Sequence, residues 1–315
     1  MKTVCLAILN HNGREHLEHL LPTALEAARE YSGQTRVVVV DNRSTKDDVA
    51  WVRDNFREVE VFVAPRNDYL FSYNDYAKEC DCDVLVLLNN DIRIHSGFLD
   101  PLLTHMEAPD VFAVSATSYA WGTRDHTFGA FRLSQHHGSY YLEMKQDREQ
   151  AAHTFFASGG FMAVDRAKYL DLGGFHALFR PIYSEDVDIC FRAWHRGWRC
   201  IYEPRSCVEH REGATMGKVS GSRGARLTLR AHLLFEKARL PRAAWGLERL
   251  AYFIVSAWRR LRAGDPGWLQ VHWSTYREWW RLKAVSGSPA ATPDELARIN
   301  ASIEQPVEFH HSARS

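Results

Sequence analysis

The fold is decided by an apolar stretch that runs into polar residues, VLVLLNNDIRI at residues 84–94. A short continuous apolar run is typical of a strand that is buried on both faces of a parallel sheet. Asn89, Asn90 and Asp91 follow where this strand would end, which is the place where open α/β sheets bind ligands. Taken alone, the triplet is better explained as a simple Asn/Asp turn. The rest of the chain has to decide between a turn and a ligand site.

The flanking segments alternate between apolar runs and helical periodicity. We predict strands at residues 3–9, 37–40 and 59–63 and helices at residues 15–30, 48–56 and 73–80. This alternation indicates βαβ units and an α/β fold with a parallel sheet. A second strand of this set also ends in polar residues, Asp41 and Asn42.

These strand ends carry the chemistry that a nucleotide and its metal need. One carboxylate can accept hydrogen bonds from a base or ribose, and a second can hold a divalent cation against a diphosphate. The sequence contains neither GxGxxG nor GxxxxGK[ST], so it lacks the dinucleotide fingerprint and the P-loop. We therefore expect phosphate to be bound through a metal.

Composition excludes several classes of protein. Lys plus Arg and Asp plus Glu each number 39 among the 315 residues, so the net charge gives no support to a nucleic-acid partner. The six cysteines form no CxxC pair, which argues against a zinc ribbon. Without a recognisable signal peptide or an apolar run of about 20 residues, a cytoplasmic location is expected.

Three acids follow Ser184 at the start of another predicted helix: Glu185, Asp186 and Asp188. Ser184 is a suitable N-cap and the helix dipole favours acids in the first turn, which explains part of the cluster. Three acids in four residues exceed what capping requires, so Asp186 is a candidate general base. His210, farther on, is either a metal ligand or a structural histidine.

Taken together, these segments resemble the family 2 glycosyltransferases, which are inverting, nucleotide-sugar-dependent enzymes with the GT-A fold. The resemblance covers residues 3–210 and rests on ILNHN at 8–12, VVDNRS at 39–44, RND at 66–68 with Asn74, NND at 89–91, GGF at 173–175, EDVD at 185–188 with Arg192 and Gly197, and His210. Within the family the chain is most similar to rhamnosyltransferase-like and galactofuranosyltransferase-like members. The implied architecture is a Rossmann-like, mixed but mostly parallel sheet flanked by helices.

The resemblance implies roles for the matching residues. The nucleotide would be bound by Leu9, Asn10, His11, Asp41, Asn67 and Asn90. Asp91 and His210 would hold Mg²⁺ or Mn²⁺, and Asp186 would deprotonate the acceptor with help from Glu185. Gly159, Gly160 and Asp188 would contact the acceptor, although Glu185 and Asp188 could equally brace their helix. Two positions depart from the family pattern, since Asn89 replaces an acid in the DxD-type motif and Asp68 stands where glycine is frequent.

We predict a transferase domain at residues 1–222, a helical extension at 223–285 and a loosely held polar tail at 286–315. A helix at 226–240 should stop at Pro241, and a later helix carries apolar residues at helical spacing with arginines beside them. Two interpretations stay open for this extension. The favoured one is that its helices pack on the domain; the other is peripheral contact with anionic lipid through residues 226–262.

The resulting hypothesis is an inverting, metal-assisted hexosyl- or deoxyhexosyltransferase of polysaccharide biosynthesis at the cell envelope. Its donor would be a UDP- or dTDP-sugar and its acceptor a glycan or a lipid-linked saccharide. A non-catalytic nucleotide-sugar-binding or scaffold protein on the same fold is the alternative. A nucleotidyltransferase is a weaker one, because the chain lacks a glycine- and lysine-rich phosphate loop.

Overall fold

The structure is a computed structural model that describes residues 1–136, 139–211, 222–241, 247–265, 267–282 and 290–307. Its strands are β1 Val4–Asn10, β2 Thr35–Asp41, β3 Val59–Val63, β4 Val84–Asn89, β5 Ile92–Ile94, β6 Val111–Ala120, β7 His126–Phe128, β8 Phe131–His136, β9 Ser139–Met144, β10 Ala152–His153, β11 Phe161–Asp165 and β12 Arg199–His210. Its helices are α1 Arg14–Glu30, α2 Asp48–Asn55, α3 Ser72–Glu79, α4 Leu99–Met106, α5 Arg166–Asp171, α6 Glu185–His195, α7 Ser222–Arg239, α8 Leu247–Arg262, α9 Gly267–Leu282 and α10 Pro293–Ile303.

Ten of the strands in the described part of the chain form one mixed sheet. Its order is β10-β12-β6-β11-β4-β1-β2-β3, with β5 added beside β12 and β7 beside β6. The long strands β1, β2, β3, β4, β6 and β12 all point in one direction, and β11 lies antiparallel between β4 and β6. β8 and β9 pair separately as a hairpin. The predicted mixed, mostly parallel α/β sheet flanked by helices is confirmed.

The opening stretch forms a strand that is buried on both faces. Along β4, Leu85 and Leu87 belong to one hydrophobic layer, and Val84, Val86 and Leu88 belong to the other. All five side chains are fully buried. Because successive side chains of a strand point to opposite faces, a continuous apolar run is what a strand between two layers requires.

The register of neighbouring strands brings their polar ends to one edge of the sheet. Leu9 of β1 lies opposite Asn89 of β4, and Asn10 lies opposite Asp41 of β2. At the far side of the sheet the antiparallel pairing of β5 with β12 sets Ile92 opposite His210. Asp91, which directly precedes Ile92, is therefore held beside the end of β12.

The C-terminal helices are joined to the rest of the molecule by a buried charge cluster. Arg239, at the end of α7, donates to Asp188 of α6 at 2.6 Å, and neither side chain has exposed surface. Arg192 donates to the other oxygen of the same carboxylate at 2.8 Å. Burial opposes ionisation of Asp188, but the two guanidinium groups outweigh it and hold its pKa below the usual range.

The predicted helices of the extension are present, but the prediction of a loosely held tail is wrong for the described residues 290–307. Thr292 and Glu295 form a reciprocal capping box at the start of α10. Leu296, Ile299 and Ile303 are buried in the same layer as Leu85. The rest of the predicted tail lies outside the described residues, and the domain boundaries at 222 and 285 stay a prediction. Among the described helices, none has the length and apolar character needed to span a membrane.

Replacing Arg239 by methionine should lower the free energy of unfolding by about 3 kcal/mol, because a buried carboxylate loses one of its two partners. Urea unfolding measures this change. Arg259→Met, at an exposed position of α8, is the matched control and should stay within about 0.5 kcal/mol of the native chain. Equal stability of the two variants would show that this ion pair does not anchor the extension.

Candidate active site

A cleft of about 490 Å³ opens where β1, β2, β4 and β12 end. Its lining includes most of the residues that the sequence singled out, namely Leu9, Asn10, His11, Asn67, Asn90, Asp91, Gly160, Glu185, Asp186 and His210. Asp41, Gly159 and Asp188 are not part of the lining. The cleft therefore joins segments that are far apart in sequence.

A chain of buried amides fixes the loops on one side of the cleft. The Asn90 amide donates to the Asn10 side chain at 2.8 Å, and the Asn10 amide donates to Asp48 at 2.9 Å. A Cβ atom at Gly13 would lie 2.1 Å from the Asn90 amide nitrogen, so only glycine allows this close approach. The ends of β1 and β4 are thus locked to each other and to the start of α2.

Asp41 shapes a loop beside the cleft and is not part of its lining. One carboxylate oxygen accepts the Ser44 backbone N–H at 3.0 Å and the other accepts the Ser44 hydroxyl at 2.5 Å. The residue is 2% exposed. The predicted contact of this carboxylate with the nucleotide stays a proposal. Its neighbour Asn42, which the sequence did not single out as a site residue, lines the cleft instead.

A salt bridge between residues that are distant in sequence lies beside another part of the cleft. Asp68 accepts from the Arg180 guanidinium at 2.7 Å and from Arg66 at 2.9 Å. The Arg180 guanidinium also lies 4.8 Å above the Phe71 ring. Tyr69, next to Asp68, and Ile182, two residues beyond Arg180, line the cleft, so this bridge lies beside it. It also gives a structural reason for an acid at position 68.

Asp91 and His210 form the pair that suits a metal ion. The His210 Nε2 atom lies 3.2 Å from Asp91 Oδ1, and the Asp91 side chain is 3% exposed. That oxygen accepts no hydrogen bond from the described residues. A carboxylate is a suitable ligand for Mn²⁺ or Mg²⁺, and an imidazole is a common ligand of transition-metal ions. The described residues form no cluster of three such side chains, so further ligands would have to come from phosphate oxygens and water.

Asn89 occupies the first position of the DxD-type motif without adding charge. Its backbone N–H donates to the Gly160 carbonyl oxygen at 2.8 Å. A Cβ atom on Gly160 would lie 2.7 Å from the Asn89 amide nitrogen. Gly160 therefore allows the end of β4 to approach the start of β11 closely.

Asp186 faces the cleft from the first turn of α6. Its two carboxylate oxygens accept backbone N–H groups from Gly159 at 3.2 Å and Val187 at 2.8 Å. These bonds fix the orientation of the carboxylate. Gly159 therefore touches Asp186 rather than open cleft surface, and its predicted acceptor contact stays a proposal.

The backbone that leads into α6 adopts an uncommon conformation. Tyr183 and Ser184 have φ angles of +78° and +65°, in the left-handed region that non-glycine residues seldom enter. The predicted capping by Ser184 is wrong, because its side chain makes no cap hydrogen bond. Such strained residues cluster at functional sites. Here they turn Glu185 and Asp186 toward the cleft.

Burial perturbs both acids of this pair. It raises the pKa of Asp186, which the two backbone donors partly offset. Burial, together with the charge of Asp186, also raises the pKa of Glu185. Glu185 is 4% exposed, and its Oε2 atom accepts no hydrogen bond from the described residues. Because the pKa of Glu185 is raised to about 8, Glu185 holds its proton at neutral pH and the single negative charge of the pair lies on Asp186.

The predicted acceptor contact of Asp188 does not fit the structure. Asp188 has no exposed surface, and its carboxylate accepts hydrogen bonds from Arg192 and Arg239. A side chain two residues beyond Asp186 points to a different side of α6. Asp188 therefore has the bracing role that the sequence left as the alternative.

Curated relatives match part of the chain. It is 28% identical over 149 residues to a putative polypeptide N-acetylgalactosaminyltransferase 10 of Drosophila melanogaster, and 24% identical over 147 residues to a probable N-acetylgalactosaminyltransferase 9 of Caenorhabditis elegans. These matches cover 44% and 42% of this chain but only 24% and 25% of the relatives. The chain thus spans about a quarter of the length of these relatives.

Solved structures share the fold. GalNAc-T7 with UDP, GalNAc and Mn²⁺ superposes with a TM-score of 0.61 at 16% identity, over 77% of this chain and 49% of that one. The mannosyltransferase PcManGT from Pyrobaculum calidifontis, with GDP-Man and Mn²⁺, gives a TM-score of 0.54 at 16% identity over 95% and 78%. TarS 1–349 of S. aureus gives 0.50 at 14% identity over 75% and 66%. At these identities the likeness establishes a GT-A-like fold.

The family assignment comes from a separate match to a protein family. Residues 5–173 fit the family described as glycosyl transferase family 2, and these residues are more than half of the chain. They contain β1, β2, β4 and β5, whose ends supply the Asp91 side of the cleft. The chain therefore belongs to glycosyl transferase family 2.

Proposed function

We propose that the chain is an inverting glycosyltransferase that moves a sugar from a nucleoside-diphosphate donor to an acceptor hydroxyl. The observation that carries this proposal is the presence of two acidic sites in one cleft. Asp91 with His210 forms the first site, and Asp186 with Glu185 forms the second. The first site can bind a diphosphate through a metal ion, and the second site can accept a proton.

Family membership and the named neighbours support a nucleotide-sugar donor. GalNAc-T7 was solved with UDP and PcManGT with GDP-Man, both with Mn²⁺. We propose the same class of donor and a divalent metal, Mn²⁺ or Mg²⁺, for this chain. A UDP- or dTDP-sugar remains our choice, along with the rhamnosyl- or galactofuranosyl-like subgroup. A GDP-sugar belongs in any donor screen.

The transfer step needs one base and no covalent nucleophile. The acceptor oxygen attacks the anomeric carbon while the bond from that carbon to the diphosphate oxygen breaks, and the bonding electrons leave with the diphosphate. The hydroxyl proton passes to Asp186, whose carboxylate is oriented by Gly159 and Val187. Glu185 holds its own proton and so avoids a second charge beside the base. A single displacement inverts the anomeric configuration.

Asp91 and His210 would hold the metal at the leaving-group side. When bound there, a divalent cation would offset the negative charge that develops on the departing diphosphate. Asn89 adds no charge to this site. The protein therefore contributes a single carboxylate and an imidazole, and the affinity for metal should depend strongly on the donor.

We also propose that the acceptor is a glycan or a lipid-linked saccharide at the cytoplasmic face of the cell envelope. The membrane contact that was predicted through residues 226–262 would bring a lipid-linked acceptor near the cleft. The alternative is a non-catalytic protein that binds nucleotide sugars. This alternative rests on Asn89, which adds no charge to the metal site. It predicts that the chain binds the donor but transfers no sugar to any acceptor in a broad panel.

Asp186→Asn should reduce transfer by about 10²- to 10⁴-fold, because the amide cannot accept the proton in the transition state. Glu185→Gln is the matched control, since glutamine resembles a protonated glutamate, and it should stay within about tenfold of the native rate. Initial rates of nucleoside-diphosphate release in the presence of acceptor measure both. Undiminished transfer by Asp186→Asn would remove it as the base.

The rate of transfer should increase with pH, and the increase should occur at pH values above the ordinary aspartate pKa of about 3.9. The raised pKa of Asp186 means that its carboxylate becomes protonated at a higher pH than an ordinary aspartate does, and the protonated form cannot act as base. A profile of kcat/KM against pH measures this increase. A profile that stays flat down to pH 4 contradicts the assignment.

Asp91→Asn and His210→Gln should each weaken Mn²⁺ binding in the presence of donor by about 10- to 100-fold. Thermal melting over a Mn²⁺ titration measures the affinity, because a ligand that binds the native state raises its stability. Glu185→Gln serves as the control within the same cleft and should keep native affinity. Unchanged Mn²⁺ affinity in both variants would place the metal elsewhere.

A further inference from the structure

The outer face of α8 carries a stripe of large apolar side chains that the fold leaves in solvent. These side chains recur at helical spacing and are between 52% and 57% exposed: Leu250, Ile254, Trp258 and Leu261. Positions spaced by four, four and three residues lie along one side of a helix. Phe253, on an adjacent side of the helix, packs toward α9 with its ring 5.2 Å from that of Trp268. The stripe is therefore not the surface that holds α8 to the molecule.

The neighbouring helix α9 also presents aromatic rings. Trp273, Tyr276 and Trp280 recur at spacings of three and four residues and are 65%, 41% and 54% exposed. Of the fourteen exposed large hydrophobic residues in the described part of the chain, nine lie on α8 or α9. Concentrated exposed apolar surface of this kind marks an interaction site.

Positive charge lies beside the stripe. Arg259, Arg260 and Arg262 occupy the last turn of α8, and its described side chains, 250–262, include no carboxylate. Arg260 pairs with Asp265 at 3.3 Å, just beyond the helix. The Arg262 guanidinium lies 4.2 Å above the Trp258 ring, so charge and apolar surface are in direct contact. A partner of this surface must therefore bind both apolar side chains and positive charge.

We propose that the exposed faces of α8 and α9 dock on the surface of an anionic lipid bilayer. Such a surface offers acyl chains to Leu250 and Ile254, an interfacial layer that tryptophan and tyrosine favour, and anionic headgroups to the arginines. A second copy related by a twofold axis would bring the same arginine-rich helix end against this surface. Charge complementarity therefore favours the bilayer over self-association.

The structure narrows the lipid contact that the sequence predicted for residues 226–262. The apolar residues of α7 are largely turned inward, since Ala231 and Leu234 are fully buried and Phe235 is 5% exposed. α7 is thus the internal support of the extension, and α8 with α9 provides its outer surface. Docking does not depend on the proposed transfer reaction, because it uses no residue of the cleft.

Sedimentation of the full chain with vesicles tests the proposal without any donor or acceptor. The chain should bind vesicles of phosphatidylcholine with phosphatidylglycerol at low salt and bind pure phosphatidylcholine far less. Ile254→Glu combined with Trp258→Glu should weaken binding at least tenfold, because both side chains would lose their apolar contact. Leu142→Glu, at an exposed position of β9, is the control and should bind as the native chain does.

An Arg262→Gln variant should weaken binding about fivefold at low salt, because Arg262 is the arginine in contact with the stripe. Native melting temperatures would confirm that the variants are folded. Native binding by the double glutamate variant, or equal binding to neutral and anionic vesicles, would overturn the proposal. A dimer of the native chain that the double variant abolishes would also overturn it, since a second copy would then cover this face.

Discussion

The register of β1 with its two parallel neighbours is the constraint on which the site depends. It sets Asn10 opposite Asp41 and Leu9 opposite Asn89. A slip of one residue would turn each apolar side chain of these strands toward the other layer. Since both layers are packed and buried, the core fixes the register, and the register fixes where the polar ends meet. The cleft is a consequence of core packing.

The two acidic sites are held by different means, which suits their different chemistry. Asp91 is held by strand pairing, because β5 runs antiparallel to the end of β12 and carries it beside His210. Asp186 is held by a helix whose next acid, Asp188, is anchored by Arg192 and by Arg239 of the C-terminal extension. The extension is thus part of the structural support of the candidate base, and its outer helices remain available for a partner.

Local sequence pattern predicted the sheet, the polar strand ends at residues 41–42 and 89–91 and the acids at 185–188. It did so because strands and their polar ends are short-range features of the chain. The pairing of Asp91 with His210 and most of the nucleotide-binding residues were implied by the resemblance to family 2 glycosyltransferases. The bridge from Arg180 to Asp68 spans 112 residues and that from Arg239 to Asp188 spans 51, and neither spacing follows from periodicity. The same limit explains the errors at Asp188 and in the tail, where acidic or polar composition concealed buried contacts made by distant segments.

The central claim is that one base and one leaving group act from opposite sides of the sugar in this cleft. The anomeric configuration of the product tests it most directly. Once a donor and acceptor are identified, proton NMR of the product formed in the first minutes gives the configuration of the new glycosidic bond. Inversion relative to the donor is the predicted result. Retention would contradict a single displacement with Asp186 as the base.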